Sequence, residues 1–252
     1  RVIGPELCNG GLGPVRSYNN DVDCVEARVN SVANKVEKWA PRFDGFAREF
    51  NALLVPRELV HKGVPCDTEE VLKAQNRPTQ RLGFERICNV MQFVKFIVSS
   101  FQKAEIYQGF KHPRNISTCN AAHRTLYAGF MYKISAEILK PQKFWAFGKT
   151  PREIADRVHD VCSGANTITP TDYSAWDGTH SADLVNQELA LLRRYFEPKY
   201  HSEVTRLVKQ QYGATAFTKM GVRYNTGSSR LSGSSDTSDF NSYDNALLQY
   251  FT

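Results

Sequence analysis

Thr150-Pro151-Arg152-Glu153 is the stretch that most constrains how this chain folds. A threonine that can cap, a glutamate three residues on and a proline at the first helical position together mark a helix start. Gly164 is the matching stop, so the spacing predicts a helix running to about Ser163. NTITPTD (166–172) follows, and its β-branched Thr167 and Ile168 read as a strand. ADLVNQELALLRRYF then reads as a helix, YGATAFTKMGVRYNTG as a hairpin turning near Met220 and Gly221, and SDFNSYDNALLQYF as a helix. The Ser/Gly cluster at 227–235 is a flexible-loop candidate. This order predicts an α+β fold, with helices packed on one face of a small antiparallel sheet.

The first half is less sharply punctuated. VEARVNSVANKVEKWA (25–40) has a helical pattern, and Asp67 with Glu69 and Glu70 predicts a second helix over 67–76. NRPTQR (76–81) is a polar, basic linker, and RLGFERICNVMQFVKFIVSSF (81–101) carries apolar residues at helical spacing. Residues 101–118 are basic, aromatic and extended, because Pro113 disfavours helix at His112. From Asn120 to Lys140 a helix resumes, with Tyr127, Phe130, Met131, Ile134 and Ile138 on its core face.

Composition narrows the function classes. The chain has 252 residues, 41% hydrophobic, enough for one large domain or two small ones. A net charge of +6 permits a polyanionic partner without requiring one. Six cysteines fall in no metal-binding spacing and are expected to be free and mostly buried. The most apolar window, 89–101, is too short to span a membrane and contains Lys95. The chain starts at Arg1 and ends at Thr252 inside a helix-like run, as an excerpt of something longer would.

Three motifs remain. The first is an acid pair, Asp172 and Asp177, in TDYSAWDGTHS. Alone, such a D-x4-D is a turn and capping feature. At the end of a buried strand, however, Asp172 needs neutralising, and a divalent cation does that. The second is Ser232-Gly233, Thr237 and Asn241, the pattern S-G-x3-T-x3-N. The third lies upstream, Phe101-x-Lys103-x-Glu105 followed by Lys111-His112-Pro113-Arg114-Asn115-Ile116.

In chain order, the upstream basic segment, the acid pair and the Ser-Gly pattern resemble motifs F, A and B of a viral RNA-dependent RNA polymerase of positive-strand RNA viruses. The resemblance covers roughly residues 75–252, and Asp177-Gly178 with PRNI places it nearest the nodaviruses, with tombusvirus-like enzymes second. It implies a right-hand polymerase fold. On that division 1–75 is an N-terminal extension or fingers, 76–150 fingers with motif F, and 151–252 an incomplete palm with motifs A and B. It implies template-directed, two-metal nucleotidyl transfer, with Asp172 as the catalytic, Mg²⁺- or Mn²⁺-binding carboxylate. Asp177 and Asn241 would read the ribose 2′-hydroxyl, supported by Thr237. Ser232 and Gly233 would form a mobile loop touching template and nucleotide. Lys111 and Arg114, with Lys103, would bind the incoming triphosphate.

Arg77 and Arg81 either guide template or are solvated arginines at a helix boundary. Trp176 is expected to pack rather than stack on a base, and His180 to begin a helix. The implied partners are template RNA, nascent RNA and nucleoside triphosphates, in host cytoplasm at membrane-bound replication complexes. Motif C, usually Gly-Asp-Asp, is absent from these residues, and SYNNDVD (17–23) is the only acidic cluster of that kind upstream. The chain is therefore expected to be a piece ending before motif C and inactive alone. A reverse transcriptase palm and a non-catalytic RNA-binding protein are the competing readings.

Overall fold

The computed structural model describes residues 11–33, 39, 41–75 and 77–251. Cys8, most of the first Gly/Pro run and the tail of the expected 25–40 helix lie outside the described residues. Helix α1 (Tyr18–Val25) is capped by Ser17, whose Oγ accepts from the Asn20 amide at 3.2 Å. It runs into a π-helical turn (Glu26–Asn30) and a last turn (Ser31–Ala33). SYNNDVD is thus the start of a helix, not a hairpin. Asp21 is buried there and accepts from Gln102 and from the Met220 amide.

Next come α2 (Phe43–Leu54), α3 (Thr68–Ala74) and α4 (Pro78–Glu85). In α3 the capping box forms as the sequence predicts, Asp67 and Glu70 each accepting the other's amide at 2.8 Å. The expected helical run over 81–101 is overturned. Helix stops at Glu85, and the chain becomes strand β1 at Val98–Gln102. Leu82, Val90, Phe93 and Ile97 are exposed, so no tertiary contact rewards a long amphipathic helix there.

Strand β2 (Asn115–Cys119) and α5 (Ala121–Ile134) follow, α5 continuing through a π-turn, Ser135–Leu139. Helix α6 (Pro151–Ser163) has the expected Thr150–Glu153 capping box and ends at Gly164. A single turn, α7 (Trp176–Thr179), precedes α8 (Ala182–Tyr195) and α9 (His201–Lys209). Strands β3 (Thr215–Thr218) and β4 (Arg223–Asn225) form the expected hairpin, with Gly221 at φ +89° in the turn. Helix α10 (Thr237–Phe251) closes the described chain.

The larger of the two described sheets has the order β2-β1-β3-β4, and the other pairs Gly11–Leu12 with Tyr107–Gln108. β1–β2 and β3–β4 are antiparallel, but β1 and β3 run parallel, Val98 opposite Ala216, so the sheet is mixed rather than wholly antiparallel. The main core lies among α2, α5, α8, α9 and α10. Phe43, Tyr127, Phe130, Met131, Leu192, Leu207, Phe240 and Tyr243 meet there. Burying each such side chain stabilises by roughly 1.5–3 kcal/mol. A smaller cluster, including Val25, Val29, Val98, Ala216, Tyr224 and Leu231, packs α1 and its π-turn on the sheet.

The five described cysteines are free, but only Cys24 and Cys119 are buried, fewer than expected. Among the described residues no helix is long and apolar enough to cross a membrane.

Candidate active site

The expected strand at 166–172 does not form. Residues 165–173 are irregular and exposed, Ile168 included, because no neighbouring strand pairs with their amides and carbonyls. Asp172 is therefore on the surface, its Oδ1 accepting from the Tyr173 amide at 2.9 Å. Ala175, in the left-handed region at φ +53°, then reverses the chain into α7. Asp177, in that turn, is half-buried. Its Oδ1 accepts from Asn241 Nδ2 of α10 at 3.1 Å, and its carbonyl accepts from the Arg230 amide at 2.8 Å.

The Ser/Gly loop is held by the outer edge of β2. Ser232 Oγ donates to the Asn115 carbonyl at 3.1 Å, and the Gly233 amide donates to Ser117 O at 2.8 Å. A Cβ on residue 233 would sit 2.9 Å from that Ser117 oxygen, which explains the glycine. Thr237 Oγ1 donates to the Leu231 carbonyl at 2.7 Å, closing the loop onto the start of α10. An edge strand offers unpaired backbone groups, and here they hold the loop that the resemblance describes as mobile.

The cations come from the segment between β1 and β2. Lys103 ion-pairs with Glu105, and Arg114 Nη1 lies 3.3 Å from the same carboxylate. The Lys103 hydrogen bond is the largest influence holding the Glu105 carboxyl below its ordinary value. Lys111 faces the other way, lining a small separate cavity with Asn20, Tyr107 and Phe110. Arg77 precedes α4 and Arg81 donates to the Gln75 carbonyl at 3.2 Å, both away from the cleft.

These parts enclose one open cleft of about 690 Å³. Lys103, Arg114, Asp177, Ser232, Thr237 and Asn241 all line it; Asp172, Lys111, Arg77 and Arg81 do not, and Gly233 lies just behind Ser232. Arg28, Tyr173, Trp176 and Arg230 line it as well. Trp176 packs on Tyr173, ring centroids 4.5 Å apart, so the pair forms an aromatic wall.

Arg230 was not singled out by its sequence. It is 3% exposed, and its Nη2 donates to His180 Nε2 and Asp244 Oδ2, both at 2.8 Å, and to Glu188. With Nε2 accepting, His180 donates from Nδ1 to the Ser228 carbonyl at 3.0 Å. His180 is thus a buried polar residue rather than the opening of a helix. Its atoms and those of Glu188 and Asp244 lie within 4.8 Å of one another, close enough for a metal, but the Arg230 guanidinium already supplies the cation.

Burial opposes ionisation of Glu188, yet the Arg230 guanidinium holds its carboxyl down at about 2. Burial and the Glu188 charge push the Asp244 carboxyl well above the usual carboxylate range. The sequence signal was a charge on an otherwise apolar helix face: Glu188 beside Leu184 and Leu192, Asp244 beside Phe240 and Leu247.

Mg²⁺ prefers one or two carboxylates together with substrate phosphates. Asp172 is exposed and does not line the cleft. Asp177, which lines the cleft, is engaged by Asn241. Among the described residues no other carboxylate lines the cleft.

No family model matches the chain. It is 32% identical over 255 residues to an RNA-directed RNA polymerase of Pieris rapae virus, which covers 99% of this chain and 25% of the relative. To the RNA-directed RNA polymerase of Greasy grouper nervous necrosis virus it is 31% identical over 98% of its length, and to that of Pariacoto virus 31% over 95%. The chain spans about a quarter of the length of the curated relatives it matches.

Proposed function

From a chain homologous along nearly its whole length to nodavirus RNA-directed RNA polymerases, we infer that this segment supplies the nucleotide-binding cleft of such an enzyme. The observation that carries this reading is the convergence of Lys103, Arg114, Asp177, Ser232, Thr237 and Asn241 on one cleft, with Asn241 bonded to Asp177. The substrates are template RNA, a growing RNA 3′ end and nucleoside triphosphates. The 3′-hydroxyl attacks the α-phosphate in line and pyrophosphate leaves.

In this reading Lys103 and Arg114 hold the triphosphate, Arg114 as a planar fork and Lys103 as a compact charge. Asp172 would be one ligand of a divalent cation, Mg²⁺ or Mn²⁺, whose chemistry is to neutralise charge on the reacting phosphate. Phosphoryl transfer needs mainly positioning and charge neutralisation, which is why cations and carboxylates dominate the residue set. The palm-and-fingers division and the implied setting, membrane-bound replication complexes in host cytoplasm, belong to the same proposal.

One observation favours an RNA product over the DNA of a reverse transcriptase. Asn241 donates one amide hydrogen to Asp177, while its Oδ1 is buried with no partner in a residue that lines the cleft. A ribose 2′-hydroxyl donates to such an oxygen, and deoxyribose cannot. Templated incorporation of labelled ribonucleotides by the full-length polymerase tests the reading. Incorporation must require both an RNA template and a divalent cation; incorporation without template contradicts it.

A further inference from the structure

We propose that Arg28, on the π-helical turn of the N-terminal helix, is a third phosphate-binding cation of this cleft and engages the triphosphate of the incoming nucleotide. The proposal rests on the function inferred above.

Arg28 lines the cleft alongside Lys103 and Arg114, although it lies about 75 residues before the first of them in sequence. Its position is set from two sides. Arg28 Nη2 donates to the His112 carbonyl at 3.2 Å, and Cys24 Sγ, one turn earlier, donates to the Pro113 carbonyl at 3.1 Å. On the other side its own carbonyl abuts Gly178, where a Cβ would come within 3.0 Å of that oxygen and 2.9 Å of Val32 Cγ1. Arg28 therefore bridges the loop before Arg114 and the turn carrying Asp177. A triphosphate attached to a ribose at Asp177 and Asn241 has to extend toward those cations.

The other two cations are already engaged. Lys103 and Arg114 share Glu105, whereas among the described residues no carboxylate lies within 4.0 Å of Arg28. Its Nε is buried and has no hydrogen-bond partner. A guanidinium with an unsatisfied N–H beside a cleft is set up for an anionic oxygen, and Arg matches phosphate geometry in a way Lys does not. Interruptions of the helical ladder such as this π-turn recur at functional sites.

The test is binding of a fluorescent GTP analogue to the full-length polymerase, with competition by inorganic tripolyphosphate, guanosine and a short RNA. Arg28→Ala should weaken GTP analogue and tripolyphosphate about tenfold, the loss of one charge-assisted contact, with guanosine and RNA affinity unchanged. Arg28→Lys should recover part of the loss, and Arg28→Gln, which keeps the stem, should not. Unchanged GTP affinity in a folded Arg28→Ala or Arg28→Gln protein overturns the proposal. Lost RNA affinity with GTP affinity intact also overturns it, and assigns Arg28 to an RNA backbone phosphate. If the wild-type enzyme binds no GTP analogue at all, the inferred function itself fails.

Discussion

Asn241 Nδ2 donates to Asp177 Oδ1 at 3.1 Å, joining the N-terminal half of α10 to the single turn α7 across 64 residues of sequence. The pair leaves Asn241 Oδ1 buried without a donor in a residue that lines the cleft. Asn241→Ala should therefore reduce discrimination between a ribonucleotide and its 2′-deoxy analogue by about tenfold or more, as loss of one buried hydrogen bond implies. The measurement is the ratio of kcat/KM for the two substrates in the full-length enzyme. Extension with ribonucleotides should persist, and an unchanged ratio would remove Asn241 from ribose recognition.

Lys111 and Arg114 are neighbours in sequence but not in the cleft, since Arg114 lines it and Lys111 lines a different cavity. Arg114→Ala should raise KM for nucleoside triphosphates about tenfold, from loss of a charge-assisted contact, and Lys111→Ala much less. Steady-state kinetics on the two variants decide between this geometry and the equal roles that the polymerase resemblance implies. Equal effects would show that the loop rearranges when nucleotide binds.

That contrast shows where sequence was enough. Helices bounded by local chemistry were legible: Thr150 to Gly164, Asp67 with Glu70, and the run of core residues from Tyr127 to Ile138. That Asp177 and Asn241 belong to one site was implied by the polymerase resemblance alone, and the two side chains are hydrogen-bonded. Residues 166–172 and 81–101 were misread because propensity and periodicity cannot say whether a strand partner or a packing surface exists. Arg28 and Arg230 carried no local signal. Their positions depend on contacts with residues far away in the chain, at His112 and Gly178 for one and at Glu188 and Asp244 for the other.

The Arg230 cluster should behave as a buried charge group in which every member needs the others. Removing Arg230 leaves Glu188 uncompensated, so Arg230→Ala should destabilise by roughly 3–5 kcal/mol. Glu188→Gln should also lower the Tm. Because the folded-state pKa of Glu188 is held down at about 2 against an ordinary 4.5, its contribution is complete above 4.5 and disappears as pH falls toward 2. The Tm gap between wild type and Glu188→Gln should accordingly close over that window. A gap independent of pH would mean the charge plays no part.

Asp239 has the opposite sign. It is buried, accepts from Ser135 Oγ at 2.8 Å, and burial pushes its carboxyl up to about 6 from 3.8. The folded state thus keeps a proton that the unfolded chain releases. Stability from this group is full below 3.8 and falls as pH rises to about 6. Asp239→Asn keeps an acceptor for Ser135 and should raise the Tm at pH above 7 by about 5 °C. The gain should vanish on acidification below 4, which thermal unfolding across pH measures directly. A Tm unchanged at neutral pH would mean the carboxylate is solvated in the folded protein.

The most direct measurement of the account is RNA-templated extension by the full-length polymerase carrying Asp172→Ala, run beside the wild type with Mg²⁺ and with Mn²⁺. Asp172 is exposed, stands outside the cleft and bonds only locally, to the Tyr173 amide, among the described residues, so the variant should fold with an unaltered Tm. Extension should nevertheless be abolished with either ion. Extension at the wild-type rate would contradict the assignment of Asp172 to the catalytic centre.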